Sequence, residues 1–366
     1  MPKGWNGEPM NLRQSFPAIA AVIIIAVVLA GEVITVTDSH SDFSSSISLQ
    51  GDTVEFTIDS KGSHIYDAVS LRNTLGTPES VSVYYDPDYF STSGDGHAST
   101  GARALDEGYY VEQIPDTLMV RGINHVETVD AEGLGRLMSS DGSGRAVIMI
   151  SGSIPDTVYD GTSDSPILKW IRSGGRLYWA GDVLGKYLAH RDAAEEVGDG
   201  TALFLGSDCI DSEKRMGYSV SRDDFRDSLY ILNNDISYAP DVSMIPSDTG
   251  FLAIGYTDGI RSSLTFVECG EGMVCIMGGD YSIRQRIDMG MMVASGIGPD
   301  TEIVETVHGT VSGKITGSIA AGDSVYITLG GFDSVYSENH EVVRCSSTTG
   351  DSSAGAWPSR SWSASP

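Results

Sequence analysis

The chain has 366 residues, 40% of them apolar, which is enough for two or three domains with real cores. Lys and Arg number 23 against 50 Asp and Glu, a formal charge of −27, with only 6 Lys and with Asp exceeding Glu by 33 to 17. Such a surface repels phosphate backbones, so nucleic acid is not an expected partner; solubility in a salty medium explains the charge more simply than a dedicated surface for cations or basic partners does.

The first predicted element lies in residues 1–36. FPAIAAVIIIAVVLAG, from Phe16 to Gly31, carries no charge; Lys3 and Arg13 precede it and Glu32 follows. About 20 apolar residues span a bilayer as a helix. The run therefore reads as an N-terminal hydrophobic helix that anchors the chain if Val33, Ile34 and Val36 extend it. Alternatively it is a signal peptide cut near Val28-Leu29-Ala30. Positive charge ahead of the run keeps the N-terminus inside, so the bulk is expected outside the cytoplasm, at the cell surface or secreted, with the membrane as a partner through that helix. Ser15-Phe16-Pro17 and Val28-Leu29-Ala30-Gly31 resemble the N-terminal segments of archaeal type IV pilin-like proteins, a resemblance that implies a filament subunit.

Residues 37–79 are predicted as a polar, Ser-rich tether, Thr37 to Ser48, followed by a half-exposed strand around Val54, Phe56 and Ile58. Residues 80–299 change character. Val81 to Tyr85 is a short strand ending at Asp86-Pro87, ARALDEG is helical, and Tyr109 to Ile114 is strand-like up to Pro115. AEGLGRLM is a helix and AVIMI, Ala146 to Ile150, is a continuous apolar run of the kind buried on both faces of a parallel sheet. SPILKWIRSGG is a helix with Pro near its start and glycines at its end, LYWAG the next buried strand, VLGKYLAHRDAAEEVG a helix and ALFLG another strand. Two or three strands follow within 251–280, the last pair a hairpin, and YSIRQRIDMGMMVASGIG closes as a helix. Strands alternating with helices define an α/β class with a parallel sheet. Residues 300–344 alternate and are Gly-punctuated, a small β-rich unit that the strand at Val54–Ile58 can join; residues 345–366 are low-complexity and predicted disordered. No Asn-x-Ser/Thr sequon occurs.

Cys209, Cys269, Cys275 and Cys345 form no CxxC pair, so no zinc site is expected. Cys269 and Cys275 flank a hairpin turn diagonally, which favours buried free thiols over a disulfide.

From about Val81 to Gly298 the order of elements resembles the class I glutamine amidotransferase-like superfamily, a flavodoxin-like parallel sheet flanked by helices. The features that carry it are the strand ending at Asp86, AVIMISGSIPD, ILKWIRSGGRLYWAGD and GEGMVCIMGGD. Active members place a Cys in Gly-x-Cys-x-Gly at the elbow and a His after the final strand. Here the elbow is Ala180-Gly181-Asp182-Val183-Leu184-Gly185, and the final strand leads to Gly278-Gly279-Asp280. The resemblance thus implies the scaffold without its thiol–imidazole chemistry, and no catalytic residue is assigned.

Ligands of open α/β sheets sit beyond the C-terminal strand ends, at the switch point of strand order. That edge is predicted to carry Asp86, Ser151, Ser153, Asp182 and Asp280. Their carboxylates suit a hard cation such as Ca²⁺, but Asp, Ser and Gly at strand ends also serve as turn-makers and helix caps. No cofactor or metal is expected. His190 is the one histidine near this edge in sequence and is expected as a solvent-facing side chain of a helix. The leading expectation is a non-catalytic surface protein that binds a protein or glycan. An extracellular hydrolase using carboxylates of this edge is the alternative, and a pilin-like filament subunit the third.

Overall fold

The computed structural model describes residues 27–29, 32–34, 43–50, 53–72, 75–92, 111–116, 118–119, 123, 125–198, 200–210, 238–257, 260–277, 290, 293, 296–320, 323–331, 341–346 and 363–365. The protein is mixed α/β. Its main sheet contains β1 (Ser80–Tyr84), β2 (Val126–Val129), β3 (Arg145–Met149), β4 (Arg176–Ala180), β5 (Phe251–Thr257), β6 (Ser262–Cys269) and β7 (Gly272–Met277). They lie in the order β5-β6-β7-β4-β3-β1-β2. β2, β1, β3, β4 and β7 are parallel, and β6 and β5 extend that sheet as an antiparallel meander.

Alternation along the central strands explains why they read as continuous apolar runs. Val81, Val83, Ile148, Tyr178 and Phe266 enter one core with Ile114 and Leu118. Tyr84, Val147, Met149, Leu177, Trp179 and Val274 enter the other, under α1 (Ala131–Met138), α2 (Pro166–Arg172) and α3 (Gly200–Leu205). Both faces are buried, so no position is left for the polar half of an amphipathic pattern. Asp130 starts α1 by accepting from Gly133 N at 2.6 Å; Pro166 opens α2 where its missing N–H costs nothing. α2 ends at a glycine turn because a Cβ on Gly175 would lie 2.5 Å from the Trp170 ring, which is itself 1% exposed.

Three predicted elements differ, and one observed strand was not predicted. VLGKYLAHRDAAEEVG is a hairpin of Tyr187–Ala189 with Ala194–Glu196, not a helix. Gly185, at φ +74°, breaks any helix there, and Leu188-Ala189 pairs in parallel with Ile154-Pro155, a tertiary contact that overrides the propensity of the Ala-rich run. ALFLG is the helix α3; a short apolar run has no period to separate helix from strand. Residues 111–116 are helical rather than strand-like, and Val111, Ile114 and Leu118 reach one core at helical spacing. The edge strand β2 has no counterpart among the predicted elements.

At the N-terminus, Val27–Leu29 pairs antiparallel with Glu32–Ile34, so the expected hydrophobic helix does not include these two segments. The rest of that run lies outside the described residues. No helix among the described residues is long and apolar enough to cross a membrane.

The Ser-rich tether is in part a strand, Phe43–Gln50, paired with Thr53–Ser60. The 20-residue strand Thr53–Arg72 pairs along its length with Glu302–Ala320, and its second half with Asp323–Gly331. Glu302–Ala320 and Asp323–Gly331 thus flank the strand that begins at Thr53. The expected disordered tail contributes Ser363–Ser365, which pairs with Lys314–Thr316, and Cys345 sits in the strand Glu341–Ser346. Of the predicted helices, ARALDEG lies outside the described residues, as does most of the one ending at Gly298, of which residues 290 and 293 are helical and residues 296–298 are not.

Candidate functional site

The strand order reverses between β1 and β3, and the loops beyond their C-terminal ends hold three of the predicted residues. Asp86 follows β1. Its Oδ1 accepts from Asp88 N at 3.0 Å and its Oδ2 from Ala131 N at 3.1 Å, the first residue of α1. Ser151 and Ser153 follow β3. Ser151 Oγ donates to the Ser153 carbonyl at 2.6 Å and Ser153 Oγ to the Phe90 carbonyl at 2.7 Å. Ser91 Oγ and Thr92 N both donate to the Ser151 carbonyl, so the loop after β1 is laced onto the loop after β3 and closes the crevice. Asp280 lies outside the described residues.

Asp182 follows β4 at a sharp turn, with Gly181 at φ +142°. The carboxylate is 4% exposed and accepts from Val183 N at 2.7 Å. Trp179 Nε1 donates to the Asp182 carbonyl at 2.8 Å and fixes the same turn. A nucleophile elbow is strand, turn, then helix. Here the chain leaves the turn for the hairpin at Tyr187–Ala189, so the feature that carried the amidotransferase-like resemblance is structurally absent.

Residues that the sequence pattern did not select form a polar cluster at the same edge. Asp156 follows Ile154–Pro155. Its Oδ1 accepts from the Tyr89 hydroxyl at 3.1 Å, and its Oδ2 lies 2.7 Å from His190 Nδ1. His190 Nε2 is 3.7 Å from Glu195 Oε2. His190 thus sits at the head of the hairpin, not in a helix, and is paired rather than only solvent-facing. The hydrogen bond to Asp156 raises the imidazole above its ordinary value, with the charges of Asp156 and Glu195 acting in the same direction against a desolvation that lowers it. The Tyr89 phenol is also raised, first by burial and then by Asp156. Only the sequence neighbourhood of His190 hinted at this set, since Asp156 lies 34 residues away and Tyr89 a further 67.

A cavity of about 450 Å³ opens at the opposite, N-terminal edge of the parallel strands, between Leu75, Arg176, Glu268, Glu271 and Asp300. Arg176 Nη1 donates to the Gly76 carbonyl, and Glu268 Oε2 accepts from Gly250 N at 3.0 Å. Among the described residues no group of three or more His, Cys, Asp or Glu converges as a metal set.

Cys209, Cys269 and Cys275 are buried free thiols. The ladder sets Cys269 opposite Gly272 and Cys275 opposite Phe266, which keeps the two apart. Burial pushes the Cys209 thiol up to about 11 and raises the other two. Among the described residues no thiol contacts a histidine.

No family model and no curated protein matches the chain. It is similar to parts of several solved enzymes. A β-galactosidase from Rahnella sp. R3 matches at 16% identity and TM-score 0.34 over 68% of this chain and 35% of that one. An exo-β-1,4-mannosidase from Opitutaceae bacterium strain TAV5 matches at 15% and 0.35, over 60% and 35%. A GH42 β-galactosidase from G. stearothermophilus matches at 18% and 0.36, over 69% and 34%. The chain spans about a third of the length of these proteins, and likeness at this level carries neither reaction nor substrate over to it. No glutamine amidotransferase-like structure is among the matches, so the expected membership of that superfamily is corrected. The pattern that suggested it, buried apolar strands separated by glycine turns, belongs to parallel sheets in general.

Proposed function

We propose that the C-terminal edge of the main sheet is a non-catalytic binding or structural surface, on a protein exported to the cell surface or secreted. One observation carries this reading: Asp86, Ser151, Ser153 and Asp182 each commit polar atoms to backbone groups of these strand-end loops or of a helix start. A catalytic carboxylate needs a partnered acid or base and open approach to substrate, and Asp182 has neither room nor exposure. The parallel strands follow the order 2-1-3-4 with β7 as the fifth, which supports the flavodoxin-like description. Export rests on the uncharged run Phe16–Gly31 behind Lys3 and Arg13, and the partner class is a protein or glycan of the envelope. The test pairs an envelope-glycan array with nitrophenyl glycosides and peptide substrates. Saturable binding without turnover is expected; turnover abolished by Asp182→Asn overturns the reading.

The alternative is an extracellular hydrolase that works through carboxylates of this edge. The observation that favours it is the solvent-accessible pair of Asp156 and Glu195 on either side of His190, groups capable of acid–base work. It predicts turnover that falls by a factor on the order of 10²–10⁴ in Asp156→Asn and survives in Asp86→Asn.

A further inference from the structure

We propose that His190 is a pH-operated latch that fastens the Tyr187–Glu196 hairpin to the loop after β1 and to the segment after β3. Three chain segments meet at this residue. The Phe90 N–H donates to the His190 carbonyl at 2.9 Å, the Asp156 N–H donates to the Ala189 carbonyl at 3.0 Å, and the Tyr89 hydroxyl donates to Asp156. The imidazole binds Asp156 through Nδ1 at 2.7 Å, and its Nε2 faces Glu195 of the same hairpin at 3.7 Å, an ion-pair distance.

Protonation decides how strongly the tie to Asp156 holds. The imidazolium donates from both nitrogens, whereas the neutral ring donates from one. With Nδ1–H kept on Asp156, neutral His190 loses the charge that makes this contact an ion pair and turns the Nε2 lone pair toward the Glu195 carboxylate, so the tie from the hairpin to the segment after β3 weakens while the hairpin's own strand pairing stays. The charged and titratable groups around the ring are Asp156 from the segment after β3, Glu195 from the hairpin's second strand, Tyr89 acting through Asp156, and Arg191, whose charge opposes that of Asp156 on the Tyr89 phenol. Both carboxylates favour the charged ring. A group whose folded value is raised lends stability that is full below its ordinary value, here 6.5, and lost as pH rises through the raised value. The latch is therefore closed in mild acid and loosened in alkali.

The Phe90 and Asp156 amides report directly on the latch, because their acceptors are the carbonyls of His190 and Ala189. Hydrogen exchange of the full chain is measured from pH 5.5 to 8.5, corrected for the intrinsic rate and referenced to amides of β3. Protection of the two amides is expected to fall roughly two- to five-fold across the His190 titration, the range set by exposed charge pairs. The fall is expected to vanish in His190→Gln and to shrink in Glu195→Gln, while β3 protection stays level in all three proteins. Protection that does not change with pH in the natural chain, or a change that persists in His190→Gln, overturns the latch.

Discussion

Replacing Asp86 by Ala separates the two roles open to a carboxylate at the end of a parallel strand. In the folded protein Asp86 holds Asp88 N at 3.0 Å and Ala131 N at 3.1 Å. The second bond spans 45 residues and joins the loop after β1 to the positive end of α1, where four N–H groups lack intrahelical partners. Hydrogen bonds to a charged acceptor contribute about 1.5–3 kcal/mol each. The Asp88 contact is exposed and adds little, and the Ala131 contact is half-buried, so Asp86→Ala is expected to cost about 1.5–2.5 kcal/mol in all. Asp86→Asn keeps one acceptor oxygen without the charge and is expected to cost about half as much. At about 2–4 °C per kcal/mol for a unit of this size, the Ala variant melts roughly 3–10 °C lower. Urea unfolding followed by circular dichroism measures the change, with an unaltered m-value showing that stability alone has moved. Ligand binding is measured in parallel and is expected to be unchanged. A variant as stable as the natural chain but unable to bind would refute the capping role and make Asp86 a ligand-contacting group.

Gly175→Ala forces a methyl to within 2.5 Å of the Trp170 ring, which has no space to yield, and is expected to cost about 1–3 kcal/mol with an altered near-ultraviolet spectrum; an unchanged melting curve counts against the close approach. Trp179→Phe removes the indole N–H from the buried Asp182 carbonyl, for a loss of about 1–3 kcal/mol, checked by the same unfolding assay. Burial raises Cys209 to about 11 and Tyr159 to about 12. Stability lent by these neutral forms is full below their ordinary values and is lost as pH rises through the raised ones. Unfolding free energy is therefore expected to hold to about pH 9 and then fall by a few kcal/mol toward pH 12. Cys209→Ala and Tyr159→Phe should each flatten part of that fall, and an equally steep fall in the double variant sinks the attribution.

The main sheet was legible because its strands are buried on both faces. Ala146 to Ile150 and Leu177 to Ala180 are continuous apolar runs, and such runs next to glycine turns have one common structural meaning. The helix α1 was legible as AEGLGRLM, and in the structure it starts at Asp130, whose capping contact spans three residues. Elements fixed by distant partners were not. The hairpin Tyr187–Glu196 has the composition of a helix, and its pairing with Ile154-Pro155 exists only once the sheet has placed β3 beside β4. The same holds for Asp156 and His190, which no local pattern connects.

Asp, Ser and Gly at strand ends are an ambiguous signal for a physical reason that this edge makes plain. Crossover helices begin just beyond the C-terminal ends of parallel strands, and each helix start presents unmatched N–H groups. Loop carboxylates are the nearest acceptors, so the topology that gathers acidic residues at this edge also consumes them, as α1 consumes Asp86 and Asp130. The exception is the carboxylate whose donors are side chains. Asp156 faces a phenol and an imidazole rather than orphan backbone groups, and those partners can change protonation state while backbone amides cannot. Chemistry at such an edge is therefore to be sought where an acid meets titratable donors, and here that points to Asp156 and His190 instead of Asp86 and Asp182.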